Sequence, residues 1–265
     1  GTPMGRVTGP FRPPFRTLGA DISGTVEAVG QGVTALKPGA RVFGDLSEAS
    51  WGGLADYACV PVDALATIPG HLSFVEAAAL PQAGGLALQA FRKFPQCGPG
   101  HNVLINGAGG GVGTFAIQLA KAKGASVVAV DRAEKGQATL ALGADAFIDF
   151  ASEDFTAVRD RYDLIIDMVA NRPASHYARC LKSGGRLVVI GGTFRSLFRI
   201  LLSAPFRHKK KLGILAYKVS PADSLELAGV VRPVIDSTFP LENGIAALRR
   251  LGDGHHVGKI IVTTD

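Results

Sequence analysis

Cysteine is scarce. Cys59, Cys97 and Cys180 lie far apart, with no CxxC and no Cys/His spacing that would hold zinc. An odd number of scattered thiols suits a reducing compartment, where they behave as small core residues, so a cytoplasmic location is expected. Charge is also sparse, at 19% against 47% apolar residues, which excludes a disordered chain. Long hydrophobic runs are missing: no stretch of about 18 apolar residues runs free of charge, Pro or Gly, so no membrane-spanning helix is expected. No signal peptide is visible, and the chain opens at Gly1 without an initiator Met, as a processed or truncated end would.

What is present is glycine, 34 of 265 residues, against a typical usage of ~7%. Collagen periodicity is absent, so the excess points to tight turns and close backbone approaches. The length fits one large domain or two ordinary ones. The net charge of +6 is concentrated in one place. Between Gly192 and Lys211 stand Arg195, Arg199, Arg207, Lys209, Lys210 and Lys211, with no acid among them. Phe194, Leu197, Phe198, Leu201 and Leu202 recur there at three- and four-residue steps, as in an amphipathic helix. Two readings are open for residues 194–211: contact with a membrane surface or polyanion, or a helix whose apolar side covers a cleft. The second is preferred. No nucleic-acid-reading motif accompanies the patch, so nucleic acid is not expected as a partner.

Residues 1–70 read as short strands and turns. Gly19–Val29 alternates, Gly30-Gln31-Gly32 and Lys37-Pro38-Gly39 punctuate, and Tyr57–Val62 reads as a further extended run. Ser73 and Glu76 form a capping-box start for a helix. From about residue 101, apolar runs at Val103–Ile105, Val127–Val130, Ala146–Ile148, Leu164–Ile166, Leu187–Ile190 and Leu212–Tyr217 alternate with helical stretches. That pattern predicts an α/β fold with a parallel sheet covered on both faces.

The chemistry centres on Ala108-x-Gly110-x-x-Gly113, which follows one strand and opens a helix. A dinucleotide pyrophosphate needs backbone N–H donors at a helix N-terminus with no side chain in the way. Gly110 admits the phosphates, Gly111 and Val112 continue the turn, and Gly113 lets the helix pack on the sheet. Asp131 ends the next strand, eighteen residues after Gly113, where it would accept from an adenosine ribose. Arg132 argues for a 2′-phosphate instead. The balance leans slightly to NAD. A class I methyltransferase fits a glycine-rich first turn followed by an acid, and remains an alternative. A short-chain dehydrogenase does not fit, because Leu181 stands where Tyr177 would need a lysine.

The chain resembles the medium-chain dehydrogenase/reductase superfamily, in its zinc-independent quinone-oxidoreductase-like branch. The likeness runs from Leu18 to Val262 and rests on Leu18–Gly24, Leu36–Gly39, Leu72–Pro81, Val103–Lys121, Leu142–Asp145 and Gly258-Lys259. It implies a Rossmann doubly wound sheet over residues 73–228. It also implies a partial GroES-like β-barrel catalytic domain made from residues 1–72 and 229–265. The nicotinamide of NAD(P)H would lie near Val169-Ala170 and Ile190-Gly191. The implied substrate is a small electrophile (a quinone, enone or similar activated carbonyl compound), and the implied assembly is a homodimer through an edge strand. A non-catalytic dinucleotide-binding protein of the same fold is the other reading. Where zinc-dependent relatives carry Gly-His-Glu, this chain has Gly19-Ala20-Asp21, so no metal is expected. Leu86 replaces the family threonine near the nicotinamide. Lys259 is a candidate for stabilising a developing oxyanion. His255, His256, Tyr57 and Tyr177 are weaker candidates for the proton donor, with turn or core roles preferred.

Overall fold

The computed structural model describes residues 17–49, 51–203 and 211–264. Its centre is a six-stranded sheet made of β4 (Asn102–Asn106), β5 (Ser126–Asp131), β6 (Ala146–Asp149), β7 (Tyr162–Asp167), β8 (Leu181–Val189) and β9 (Lys211–Ile214). All are parallel, in the order β6-β5-β4-β7-β8-β9, the doubly wound arrangement with its reversal between β4 and β7. Side-chain alternation explains why these runs are apolar throughout. Val103 and Ile105 of β4 enter one core with Phe91, Phe115 and Ile117, while Leu104 enters the other with Tyr162, Tyr177 and Ile200.

Two helices precede β4: α1 (Phe74–Ala79) and α2 (Pro81–Arg92). The capping box forms as the sequence predicts, with Ser73 Oγ accepting from Glu76 N–H and the Glu76 carboxylate accepting from Ser73 N–H. Helix α3 (Gly111–Ala122) follows β4, α4 (Gly136–Ala141) follows β5, α5 (Ala174–Cys180) precedes β8, and α6 (Phe194–Ser203) links β8 to β9. Helix α7 (Pro221–Ala228) then packs on α2, with Leu227 filling the notch left by Gly84.

The first part of the chain forms an antiparallel meander of β1 (Asp21–Thr25), β2 (Arg41–Asp45) and β3 (Leu65–Thr67). The last part forms a parallel pair, β10 (Ile235–Pro240) and β11 (Lys259–Thr263), flanking α8 (Gly244–Asp253).

Three expectations are corrected. Tyr57–Val62 is not a strand: Tyr57 is exposed and the pairing segment is Leu65–Thr67, because the backbone partners of β2 lie there. The run from Leu212 stops at Ile214, and Tyr217 belongs to the seam between meander and sheet. Most consequentially, the apolar side of α6 covers no cleft among the described residues. Ile200 is buried and Leu197 packs beside it, but Phe194, Phe198, Leu201 and Leu202 all face outward. Arg207, Lys209 and Lys210 lie outside the described residues. Of the cysteines, Cys97 and Cys180 are buried as expected, whereas Cys59 is exposed.

Candidate functional site

The glycine loop sits at the carboxyl edge of β4, where the strand order reverses. Gly107 takes the left-handed backbone conformation, with φ of 88°, so the tight turn is made one residue before the motif. This explains why Ala108 is tolerated: its methyl is fully buried in the core instead of standing in the turn. A Cβ on Gly113 would lie 2.3 Å from Gly107 O and 2.5 Å from Ala108 O, so Gly113 is what lets α3 lie against the strand. A Cβ on Gly110 would meet only Gly107 O at 3.4 Å, and otherwise open space. The leading amides of α3, at Gly111, Val112 and Gly113, have no acceptor within the helix by virtue of position. Amides at a helix N-terminus beside open space at Gly110 are what a diphosphate requires, so these residues fit a dinucleotide.

Two lysines border the loop. Lys135, buried, lies along Gly109, and Lys259 lies along Gly111. The C-terminal segment also touches the loop directly: Gly258 N–H donates to Gly109 O at 2.9 Å.

Asp131 is turned inward. Its Oδ2 accepts from Gly109 N–H at 2.8 Å, its Oδ1 accepts from Arg132 N–H at 2.9 Å, and Lys135 Nζ stands 3.9 Å away. Each oxygen accepts from one backbone amide, and 7% of the residue is exposed. Arg132 is the exposed group at that strand end. Beyond it, Glu134 and His255 pair across the gap between the sheet and the C-terminal segment. His256 is half-buried, and burial together with the Lys135 charge lowers its pKa.

Val169 and Ile190-Gly191 are brought to the same edge. Val169 lies beside Gly107 and is exposed, while a Cβ on Gly191 would strike Met168 O at 2.4 Å. Ala170 has its methyl buried, and its backbone helps shape the turn. That turn is held by Asp167, which sequence reading missed. Asp167 is fully buried at the end of β7, and its Oδ1 accepts from Val169 N–H and Ala170 N–H, each at 2.7 Å. Asn106 Nδ2 donates to both of its oxygens and Tyr177 OH to Oδ2 at 2.7 Å. Burial first, and then the Asp167 carboxylate, push the Tyr177 phenol well above its ordinary value, so it serves as a fixed donor inside the core. A signal was available: Asn and Asp end adjacent apolar strands, where unpaired polar groups are expensive.

Lys259 Nζ contacts Asp21 Oδ2 at 2.7 Å, and Asp21 Oδ1 accepts from Gln82 N–H at the start of α2. The lysine therefore joins the C-terminal strand, the meander and the sheet domain. Tyr217 makes a second such joint, its ring against Gly85 and its OH donating to buried Asp45 at 2.8 Å. Burial and the Asp45 charge raise this phenol too. Ala20 offers no metal donor, and among the described residues no group of three His, Cys, Asp or Glu side chains is placed to hold a metal ion.

A six-stranded doubly wound sheet with an open amide cradle at its crossover defines a dinucleotide-binding protein of the Rossmann type. Comparison with known proteins makes this specific. A family model described as alcohol dehydrogenase GroES-like domain matches residues 3–70, and one described as zinc-binding dehydrogenase matches residues 142–262. The chloroplast envelope quinone oxidoreductase homolog of Arabidopsis thaliana is 33% identical over 257 residues, covering 91% of this chain and 78% of that protein. The 2-methylene-furan-3-one reductase of Solanum lycopersicum is 34% identical, covering 92% and 62%. The solved quinone oxidoreductase of Coxiella burnetii superposes with a TM-score of 0.86 at 30% identity, over 96% of this chain and 81% of that one. The chain belongs to the medium-chain dehydrogenase/reductase superfamily, in its quinone-oxidoreductase-like branch. The methyltransferase alternative falls with this membership.

Proposed function

We propose that the protein is an NAD(P)H-dependent oxidoreductase that reduces quinones, enones or similarly activated carbonyl compounds without zinc. The open cradle over Gly110, on the same edge as Val169 and Ile190-Gly191, is the observation that carries this reading. A bound nicotinamide supplies the hydride. The chain's residues bind and orient: α3 amides hold the diphosphate, the Asp167-braced turn shapes the nicotinamide end, and the Lys259–Asp21 joint fixes the C-terminal segment beside the loop. Absence of an imidazole at position 20 favours reduction of an acceptor that is already electrophilic over oxidation of an alcohol. Residues 1–72 and 229–265 form the catalytic side in this reading and 73–228 the cofactor side. The same reading includes a homodimer through the outer edge of β9 and a cytoplasmic location.

With Asp131 engaged internally and Arg132 exposed, NADPH is favoured over NADH. Purified protein is expected to oxidise NADPH in the presence of a quinone and enone panel, with a chelator leaving the rate unchanged. Arg132→Ala is expected to narrow the preference for NADPH by roughly tenfold. Absence of turnover across the panel with either cofactor, alongside cofactor binding by calorimetry, would leave the non-catalytic reading in its place.

A further inference from the structure

Helix α6 carries an outward apolar stripe that no other element among the described residues covers. Thr193 caps its start, with Oγ1 accepting from Ser196 N–H at 3.2 Å. At ~100° per residue, Leu197 and Ile200 fall on the inward side. Phe194, Phe198, Leu201 and Leu202 fall together on the neighbouring arc, all more than half exposed. The rings of Phe194 and Phe198 stack, with centroids 6.4 Å apart. Arg195 and Arg199 are exposed on the shoulder of this stripe, and Lys211 is exposed at the start of the next strand. No acid interrupts the segment.

We infer that α6 seats the protein on an anionic lipid surface, with its aromatic and leucine stripe in the acyl boundary and its arginines among the headgroups. Charge selects this occupant. A second copy stacked on the stripe itself, as distinct from one paired at the outer edge of β9, would bring one acid-free cationic segment against another. An anionic bilayer instead offers a medium for the apolar stripe and countercharge for the shoulder. The helix follows Ile190-Gly191 by two residues, so a seated α6 brings the nicotinamide end of the crevice close to the lipid. This second consequence rests on the proposed reductase function, and it narrows the substrate to quinones or enones that partition into a bilayer.

Vesicle flotation tests the docking. Wild-type protein is expected to float with phosphatidylcholine vesicles containing phosphatidylglycerol and to stay below with phosphatidylcholine alone. Neutralising both shoulder charges, Arg195→Gln with Arg199→Gln, is expected to weaken partition roughly thirtyfold. Phe198→Ser with Leu201→Ser is expected to abolish flotation while leaving reduction of a water-soluble quinone unchanged. Wild-type protein that stays below with both vesicle types overturns the inference. So does flotation by Phe198→Ser/Leu201→Ser equal to wild type. A concentration-dependent dimer that this double variant dissolves overturns it in favour of a contact between copies. Flotation without turnover of any quinone would retain lipid docking and remove the reductase reading, so the two failures are separable.

Discussion

Asp167 shows how one buried carboxylate shapes a binding edge. It accepts from two successive backbone amides, a carboxamide and a phenol, and in doing so fixes Ala170 in a left-handed conformation with φ of 51°. A non-glycine residue keeps that conformation only where its surroundings over-determine it. Asp167→Asn places an NH2 group against those donors, leaving at least one amide unpaired. It is expected to cost about 2–3 kcal/mol in denaturant unfolding and to raise the KM for cofactor more than it lowers kcat. An unchanged KM would show that the turn does not touch the nicotinamide end.

At the scale of elements, the strand–loop–helix unit from β4 to α3 assigns different work to two glycines of one motif. Gly110 has a φ of −79°, which alanine adopts freely, and open space where a Cβ would stand. Gly113 has carbonyl oxygens in that position. Gly110→Ala is therefore expected to leave the melting temperature within about 2 °C of wild type while weakening cofactor binding at least roughly tenfold, through lost approach to the diphosphate. Gly113→Ala is expected to lower the melting temperature outright, because α3 must move away from β4 to accept the methyl. Calorimetry of both variants with and without NADPH separates the two effects. Equal stability losses would show that the motif is purely structural.

For the molecule as a whole, the chain ends must be held against the middle. The Lys259–Asp21 contact, 21% and 12% exposed at its two side chains, is one clamp. Arg250 with Asp236 braces the C-terminal segment internally. Burial alone would raise the Asp236 carboxyl, but hydrogen bonds from Arg250, Val257 N–H and Ser237 hold it down to about 2. Lys259→Met strands Asp21 in a partly buried site and is expected to lower stability by about 2 kcal/mol, or roughly 4–8 °C. If the lysine acted directly on the reacting oxygen, the same variant would instead lose kcat at an unchanged melting temperature. Thermal melts and steady-state kinetics on one sample distinguish these outcomes.

Much of this architecture follows from local pattern. Alternating apolar runs and helical stretches specify the parallel sheet, since a strand buried on both faces must be apolar throughout. The capping box at Ser73 and the glycine spacing from 107 to 113 are likewise local, because each acts within one turn of backbone. Tertiary structure decided what depends on residues distant in sequence. Local pattern places Asp131 at a strand end and Lys259 after a turn glycine, but only folding brings the first to Gly109 N–H and the second to Asp21. The stripe on α6 reads as a lid over a cleft, whereas the described residues leave it exposed. In each case periodicity states which side of an element is apolar or charged, whereas only the packed chain determines what that side meets.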